Sequence, residues 1–488
     1  MLTKNDVFIE YRKDAGYPID NLSPSIEYPE YLFKGDLSKK DNQVYDMIRC
    51  LLYRMEYDRE NYNTPEWNPM GTFIKPWDKV VIKPNWVMHF NGNKNAGAHA
   101  MDCLVTNPSC LRAICDYCLI ALKGHGEILI GDAPMQDCDL NDLLESFGYN
   151  ELLRYYQDKN VPVRFADFRC YQSVFDKNKV ITEQIYMSGS AVEIDMGELS
   201  MHEKRNGTRL YQVDNYDKDD TQAFHTSKKH VYSINKDVLE ADVIINLCKP
   251  KSHRLAGFTA AMKNVVGIAY DKASLPHRVA GSIEEGGDAY PYKSRIKKKI
   301  DAILDRKIKY EKSHNIFMAT VERFKYGALY VAEKKFGKDA FIKGMWSGND
   351  TIWRTVVDLN YIERYADKSG SLQRTQQRRI LNLGDMIIAG DHNGPCQPDP
   401  KSMGVLIASE DSVAMDLTIC KMIGFSEEKI PMVKALLNGE AGYLLGSDGL
   451  SPQVISNSPA MSGDLKDIDF PNEWHYRPHD NWNDIIQV

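Results

Sequence analysis

Lys79-Val80-Val81-Ile82-Lys83-Pro84 and Glu127-Ile128-Leu129-Ile130-Gly131-Asp132 are two short apolar runs, and Asn107-Pro108 opens a mostly apolar segment between them. A run of this length bounded by proline or by Gly-Asp reads as a buried strand. Asn107 suits an N-cap and Pro108 a first helical position, so a helix is expected up to about Lys123, stopping at Gly124. A second helix over 140–157 and a strand over 161–165 continue the alternation. Strand, helix, strand, helix, strand implies a parallel sheet with right-handed crossovers. The fold class is therefore α/β: a mainly parallel sheet flanked by helices, with a helical insert and irregular terminal arms.

Outward from this unit, residues 1–75 are polar and rich in Tyr, Asp and Asn, with one amphipathic helix expected at 42–57. The stretch 200–229 reads as a polar surface excursion, in which His225 and His230 are expected to be solvated. Asp242-Val243-Ile244-Ile245-Asn246-Leu247 returns to the sheet, and a helix is expected over 256–266. Ile296, Ile300, Ile303, Leu304 and Ile308 fall on one helical face of a basic insert. A helix at 351–365, strands at 379–390 and 404–409 and a helix at 412–423 follow. The division expected is an N-terminal arm (1–75), one discontinuous core (76–290 and 345–425), a basic helical insert (291–344) and a C-terminal extension (426–488).

The chain has 488 residues, 43% hydrophobic and 26% charged, as in globular proteins that bury a sizeable core. Asp and Glu outnumber Lys and Arg, 68 to 61, which disfavours a chain that coats nucleic acid. No apolar run approaches the roughly 20 residues that span a bilayer. The first residues lack the apolar core of a secretory signal, and ten cysteines are too few for a disulfide scaffold, so reduced thiols and a cytoplasmic location are expected. Cys110, Cys115 and Cys118 have the spacing of plant-type iron–sulfur ligands, yet they fall on an expected helix rather than a wrapping loop, so no iron–sulfur cluster is expected. The net charge of −7 conceals a segment, 293–338, with fourteen Lys and Arg against five Asp and Glu. Basic amphipathic helices can lie on anionic lipid. Peripheral contact with an inner membrane face is thus one expectation for the insert, and a solvated helical hairpin the other.

The chemistry concentrates after the strand that ends at Leu247. Lys249, Lys251 and His253 follow at once, then Gly257, Thr259, Lys263 and Asn264. In open α/β sheets ligands bind beyond the carboxyl ends of strands. If Gly257, Thr259 and Ala260 open a helix, its free N–H groups would favour an anion. Lys83-Pro84-Asn85 and Gly131-Asp132 end two further strands, and Asn393 follows a fourth. Asp132 could bind a metal, hold a ligand hydroxyl or pair with Lys83. The substrate-binding candidates are Lys83, Asn85, Asp132, Lys249, Lys251, Thr259, Asn264 and Asn393. His253 is the acid/base candidate, because its ordinary pKa near 6.5 suits proton transfer. Lys263 is the candidate nucleophile or charge clamp.

These stretches resemble the domain-of-unknown-function 362 family. The resemblance rests on Lys83-Pro84-Asn85, Thr106-Asn107-Pro108, Gly131-Asp132-Ala133-Pro134, Lys249-x-Lys251-x-His253, Thr259-x-x-x-Lys263-Asn264-x-x-Gly267, Asn393-Gly394-Pro395 and Asp411 through Asp416. It runs from about Lys79 to Phe425 and implies an α/β fold without a settled activity. A second resemblance, of His253-x3-Gly257-Phe258-Thr259-x3-Lys263, is to the nickel-pincer lactate racemase family. It implies His253 as acid/base, Lys263 as the anchor of a pincer cofactor and His277 as the metal ligand. That family's Asp-His-x-Arg signature is replaced here by Lys83-Pro84-Asn85, and its Gly-Gly pair by Ala260-Ala261.

Three readings follow. The first is an enzyme acting on a small anionic substrate, carboxylate or phosphate, at a His/Lys site. The second is a nickel-pincer or other divalent-metal isomerase using His277 and Lys263. The third is a membrane-surface binding protein, for instance in cell-envelope glycan assembly. No nucleic-acid partner is expected in any of them.

Overall fold

The computed structural model of the chain describes residues 3–339, 341–445 and 451–486. Among them the main sheet has eleven strands. They are β1 (Val7–Tyr11), β2 (Lys79–Lys83), β3 (Glu127–Asp132), β4 (Val163–Asp167), β5 (Val243–Cys248), β6 (Lys251–His253), β7 (Gly257–Thr259), β8 (Arg379–Asn393), β9 (Gln397–Ser409), β10 (Gln453–Ser456) and β11 (Gly463–Asp464). The helices that matter below are α1 (Gln43–Arg54), α2 (Pro108–Leu122), α3 (Ala261–Asn264), α4 (Arg295–Lys312), α5 (Ile316–Phe336), α6 (Ile352–Tyr365) and α7 (Ser412–Met422).

The strand order is β11-β10-β1-β9-β8-β5-β2-β3-β4, with β6 and β7 as a side hairpin on β8. The run β8-β5-β2-β3-β4 is parallel, and antiparallel pairs enter through β9. The fold is thus the expected mainly parallel sheet between helices. Alternation along the strands explains the two faces. Val80, Ile82, Ile128, Ile130, Val243 and Ile245 pack on one side with Leu111 and Ile114 of α2. Val81, Leu129 and Ile244 pack on the other with Leu359 and Ile362 of α6. Both faces are covered, which is why these strands read as continuous apolar runs.

Local signals place several elements. Asn107 caps α2 by accepting from the Ser109 N–H, and α2 ends at Lys123 with left-handed backbone before Gly124. The helix expected over 140–157 is two, Leu140–Ser146 and Tyr149–Asp158. They part at Gly148, whose φ of +81° ends the first helix and opens the second. The sheet also reaches into both terminal arms. β1 pairs antiparallel with β9 and parallel with β10.

Two expectations are corrected. The helix expected over 256–266 is instead the β6–β7 hairpin followed by the four-residue α3. Gly257 turns at φ +80° and lets Gly257–Thr259 fold back on Lys251–His253. The second concerns the excursion histidines. His202, His225 and His230 are fully buried, with ring centroids 5.5 to 5.9 Å apart, against Tyr211 and Tyr232. The strand Lys229–Asn235 pairs with Ala191–Asp195 and Ala269–Asp271, and this small sheet draws the polar excursion inward.

The basic insert is a helical hairpin of α4 and α5. Among the described residues, no helix is long and apolar enough to cross a membrane.

Candidate functional site

β2, β3 and β5 run parallel, so Lys83, Asp132 and the Lys249–Lys251 segment emerge at one edge of the sheet. Lysines this deep need partners, and four of five have them. Lys83 Nζ donates to Asp132 Oδ1 and to the Pro84 carbonyl, each at 2.8 Å. The Asp132 carboxylate also accepts the N–H groups of Trp86 and Ala133. Gly267 lies against this pair, where any Cβ would overlap Asp132 Oδ1 and press on Lys83 Nζ. The motif glycine is therefore a close-approach position.

Lys249 is wholly buried. Its amine pairs with Asp385 at 2.6 Å and donates to Tyr17 Oη at 2.8 Å, while Tyr17 donates to the other Asp385 oxygen. Lys272 gives its amine to the carbonyls of Ala133 and Pro134, at 2.6 and 2.7 Å.

Lys251 begins a different structure. Its amine donates to Asn85 Oδ1. Asn85 Nδ2 donates to Asn264 Oδ1 at 2.8 Å, Asn264 Nδ2 to Asn246 Oδ1 at 2.8 Å, and Asn246 Nδ2 to Asn382 Oδ1 at 2.8 Å. Asn382 Nδ2 then donates to the Ser409 carbonyl. One end of this ladder is the Lys251 amine, which donates to Asn85, and the other a backbone carbonyl, which can only accept. The direction of every amide between them is thereby settled. A chain polarised in one sense is cooperative and holds Asn85 and Asn264 in single orientations.

Lys263 differs from its neighbours. It stands on α3 next to Asn264, is partly accessible, and its amine has no hydrogen bond or ion pair among the described residues. Burial, then the charges of Lys272 and Lys83, push it down to about 7, with Asp132 opposing. Lys251 is likewise pushed to about 7 by burial and by Lys249, and Lys272 to about 8 by burial.

His253 is close enough to feel the charges of Lys263, Arg254, His277 and Lys251, and burial together with them holds it well below the usual histidine range. Its Nδ1 accepts from the N–H groups of Leu255 and Ala256, at 3.0 and 3.2 Å. The neutral ring therefore carries its proton on Nε2, and Nε2–H is a donor. This is the electronic arrangement of an imidazole that polarises a substrate oxygen rather than one that removes a proton. His277 is the mirror case: its Nδ1–H donates to the Leu275 carbonyl at 2.6 Å, which leaves the Nε2 lone pair open. Burial and Lys263 lower it to about 4.

The other candidates take quieter places. Thr259 is buried in β7 opposite Lys251. Asn393 bonds to Asp480 of the C-terminal extension, through both its amide and its carbonyl. The helix terminus expected to attract an anion is already occupied from within the chain: the Asp416 carboxyl group accepts the N–H groups of Ala261 and Met262. Burial pushes Asp416 up to about 8. Cys110, Cys115 and Cys118 are buried in α2, and burial raises all three thiols.

Reading the residues missed Asn246, Asn382, Asp385 and Lys272. Three of these carried a signal, being polar side chains inside apolar strands (Asn246 among Ile245 and Leu247, Asn382 and Asp385 within β8), where an unpaired polar group is costly. Lys272 carried none.

Among the described residues no three His, Cys, Asp or Glu side chains gather at metal-binding spacing.

Comparison with known proteins agrees with the motifs. The thylakoid-associated protein sll1697 of Synechocystis sp. is 21% identical over 366 residues, covering 75% of this chain and 69% of its own. A crystal structure of a Thermotoga maritima protein is 10% identical with a TM-score of 0.28, over 77% of this chain; the match spans 56% of that protein. The profile of the family described as domain of unknown function (DUF362) matches residues 80–197 and 198–421. With most of its length matched, and with the lysine, asparagine and glycine motifs meeting at one sheet edge, the chain belongs to the DUF362 family.

Proposed function

We propose that this protein is an enzyme acting on a small anionic substrate, a carboxylate or a phosphate, with Lys263 as the reacting amine. One observation carries the reading: of five lysines at the sheet edge, Lys263 alone has an open amine, and that amine is half neutral near pH 7. A neutral amine can attack a carbonyl carbon or accept a proton from carbon. Lys272 and Lys251, held by carbonyl oxygens rather than by carboxylates, leave the surrounding potential positive and favour an anion. His253 Nε2–H is the group suited to grip the substrate oxygen on which charge develops.

The test is a panel of small hydroxy acids, keto acids and phosphate esters incubated with the protein in D2O. Proton NMR follows exchange at carbon, and borohydride traps imines for mass spectrometry. The reading expects exchange or a Lys263 adduct with at least one compound, lost in Lys263→Met. Silence across the panel, or activity that survives Lys263→Met, refutes it.

A second reading has one observation of its own. Lys263 is near enough for its charge to act on His277, and the first has an open amine and the second an open Nε2 lone pair. A metal held by protein ligands alone does not fit these residues. A lysine-anchored group that carries its own metal needs one protein nitrogen, and His277 would supply it. Such a group would bring hydride or isomerase chemistry. Intact mass and elemental analysis of protein from its native host decide: an unmodified, metal-free chain removes the cofactor.

For location, we propose a protein that lies at the periphery of a membrane. The Synechocystis relative is named thylakoid-associated, and the α4–α5 hairpin exposes Phe317, Phe324 and Val331.

A further inference from the structure

Helix α5 is inside out. Its inward face buries Ala319, Glu322 and Glu333, with Glu322 paired to Arg306 and Lys325 and Glu333 near Lys297. Its outward face carries Phe317, Phe324 and Val331, 76%, 66% and 64% exposed. These three are seven residues apart, which puts them on one side of the helix with a drift of about 20° per step. The stripe is about 21 Å long. Phe336 and Tyr292 extend exposed aromatic surface at the base of the hairpin. A helix whose carboxylates are buried and whose phenylalanines face water has its apolar surface assigned to something else, since large exposed apolar patches mark interaction sites.

The charges around the stripe identify what that is. Half of the fourteen cations of 293–338 are already neutralised: Lys297, Lys298, Arg306, Lys307, Lys309, Lys312 and Lys325 all pair with carboxylates, several of them on the protein body. The rest make no ion pair among the described residues. Six of them, Lys293, Arg295, Lys299, Lys334, Lys335 and Lys338, lie at the start of α4 and the end of α5, beside Tyr292, Val331 and Phe336. A second copy of the hairpin would bring these like charges together. An anionic lipid surface takes both features at once, headgroups against the lysines and acyl chains against the phenylalanines.

We propose that the outward face of α5, with the free cations at its base, is a docking surface for an anionic membrane. The proposal rests on the peripheral-membrane reading above and names the surface responsible. The test uses the full chain and sedimentation with vesicles of phosphatidylcholine containing 30% phosphatidylglycerol, against pure phosphatidylcholine. Wild type is expected to bind the anionic vesicles and to release as salt rises. Lys334→Glu, Lys335→Glu and Lys338→Glu are each expected to weaken binding at least fivefold, and the Phe317→Glu/Phe324→Glu pair to abolish it. Hydrogen exchange on the wild type checks the surface without relying on a variant that folds: amides of 315–338 are expected to slow on anionic vesicles. If wild type binds but these variants bind equally and 315–338 stays unprotected, the surface assignment falls while the peripheral reading stands. If wild type does not bind, both fall. Concentration-dependent dimers that the phenylalanine pair abolishes would assign the face to a second copy and overturn the lipid proposal.

Discussion

Lys263→Met should make the protein more stable, and the gain should depend on pH. The amine is displaced from the ordinary lysine value of 10.5 to about 7. At about 1.4 kcal/mol per pH unit, this is a preference of about 5 kcal/mol for the neutral form in the folded state. In the unfolded chain Lys263 binds its proton up to pH 10.5, and in the folded chain only up to about 7. Between these values the unfolded chain holds more protons, so this group's contribution to stability rises with pH across that window. Below pH 7 the whole cost of burying an unpartnered ammonium is felt. Methionine removes the charge at similar length. The gain is expected to reach several kcal/mol at pH 6, with about 5 as its ceiling, to shrink through pH 8 and 9, and to vanish near pH 10.5. Urea unfolding of both proteins across this range measures it, and the other titrating groups largely cancel in the difference. A variant that is equally or less stable at pH 6, or a gain that does not fade, would show that Lys263 is solvated and refute the site's electrostatics. Lost activity with gained stability is the expected trade at a functional position.

Acid should act through the buried histidines. His225 is lowered to about 3 by burial, so below pH 6.5 the unfolded chain takes up a proton that the folded chain refuses, and stability falls as pH drops towards 3, by about 5 kcal/mol from this residue; urea midpoints at pH 7, 5.5 and 4 check it, and a flat profile contradicts it. Lys249→Met should cost about 3–5 kcal/mol, because it strands Asp385 in the core, and Lys249→Met/Asp385→Asn should recover much of that; additive losses in a double-mutant cycle would deny the coupling. Asn246→Leu leaves the Asn382 side-chain carbonyl without its donor, costing about 1–3 kcal/mol, and the Asn264 amide with only the Lys83 carbonyl at 3.4 Å, and should also disturb Asn85. A Lys251 side-chain NMR titration that is the same in Asn246→Leu as in wild type would argue that the ladder does not transmit to that end.

How much could be read in advance depended on whether the information was local. The strands at Lys79–Lys83, Glu127–Asp132 and Val243–Cys248 were legible because both faces of a parallel sheet are buried, which leaves a continuous apolar run in the chain. The start of α2 was legible because Asn107 and Pro108 act on backbone groups one to three residues away. The excursion histidines were misread because their burial comes from strand pairing with residues far along the chain, while the segment around them is polar. The hairpin after Lys251 was misread as a helix because Gly257 permits the turn, and β8 supplies the partner from more than a hundred residues away.

The motif lysines were likewise visible as a cluster of cations at strand ends, a consequence of parallel strands that finish on one side. Their inequality was not. Whether an amine is spent or open depends on which carboxylates and carbonyls pack around it, and those come from Asp132, Asp385, Ala133 and Pro134, scattered over the chain. Composition and spacing carry the apolar pattern, the caps and the family motifs, because each is a short-range property of the backbone and its neighbours. Packing alone leaves Lys263 open beside a proton-donating His253, because burial and pairing arise between segments that meet only in the folded chain.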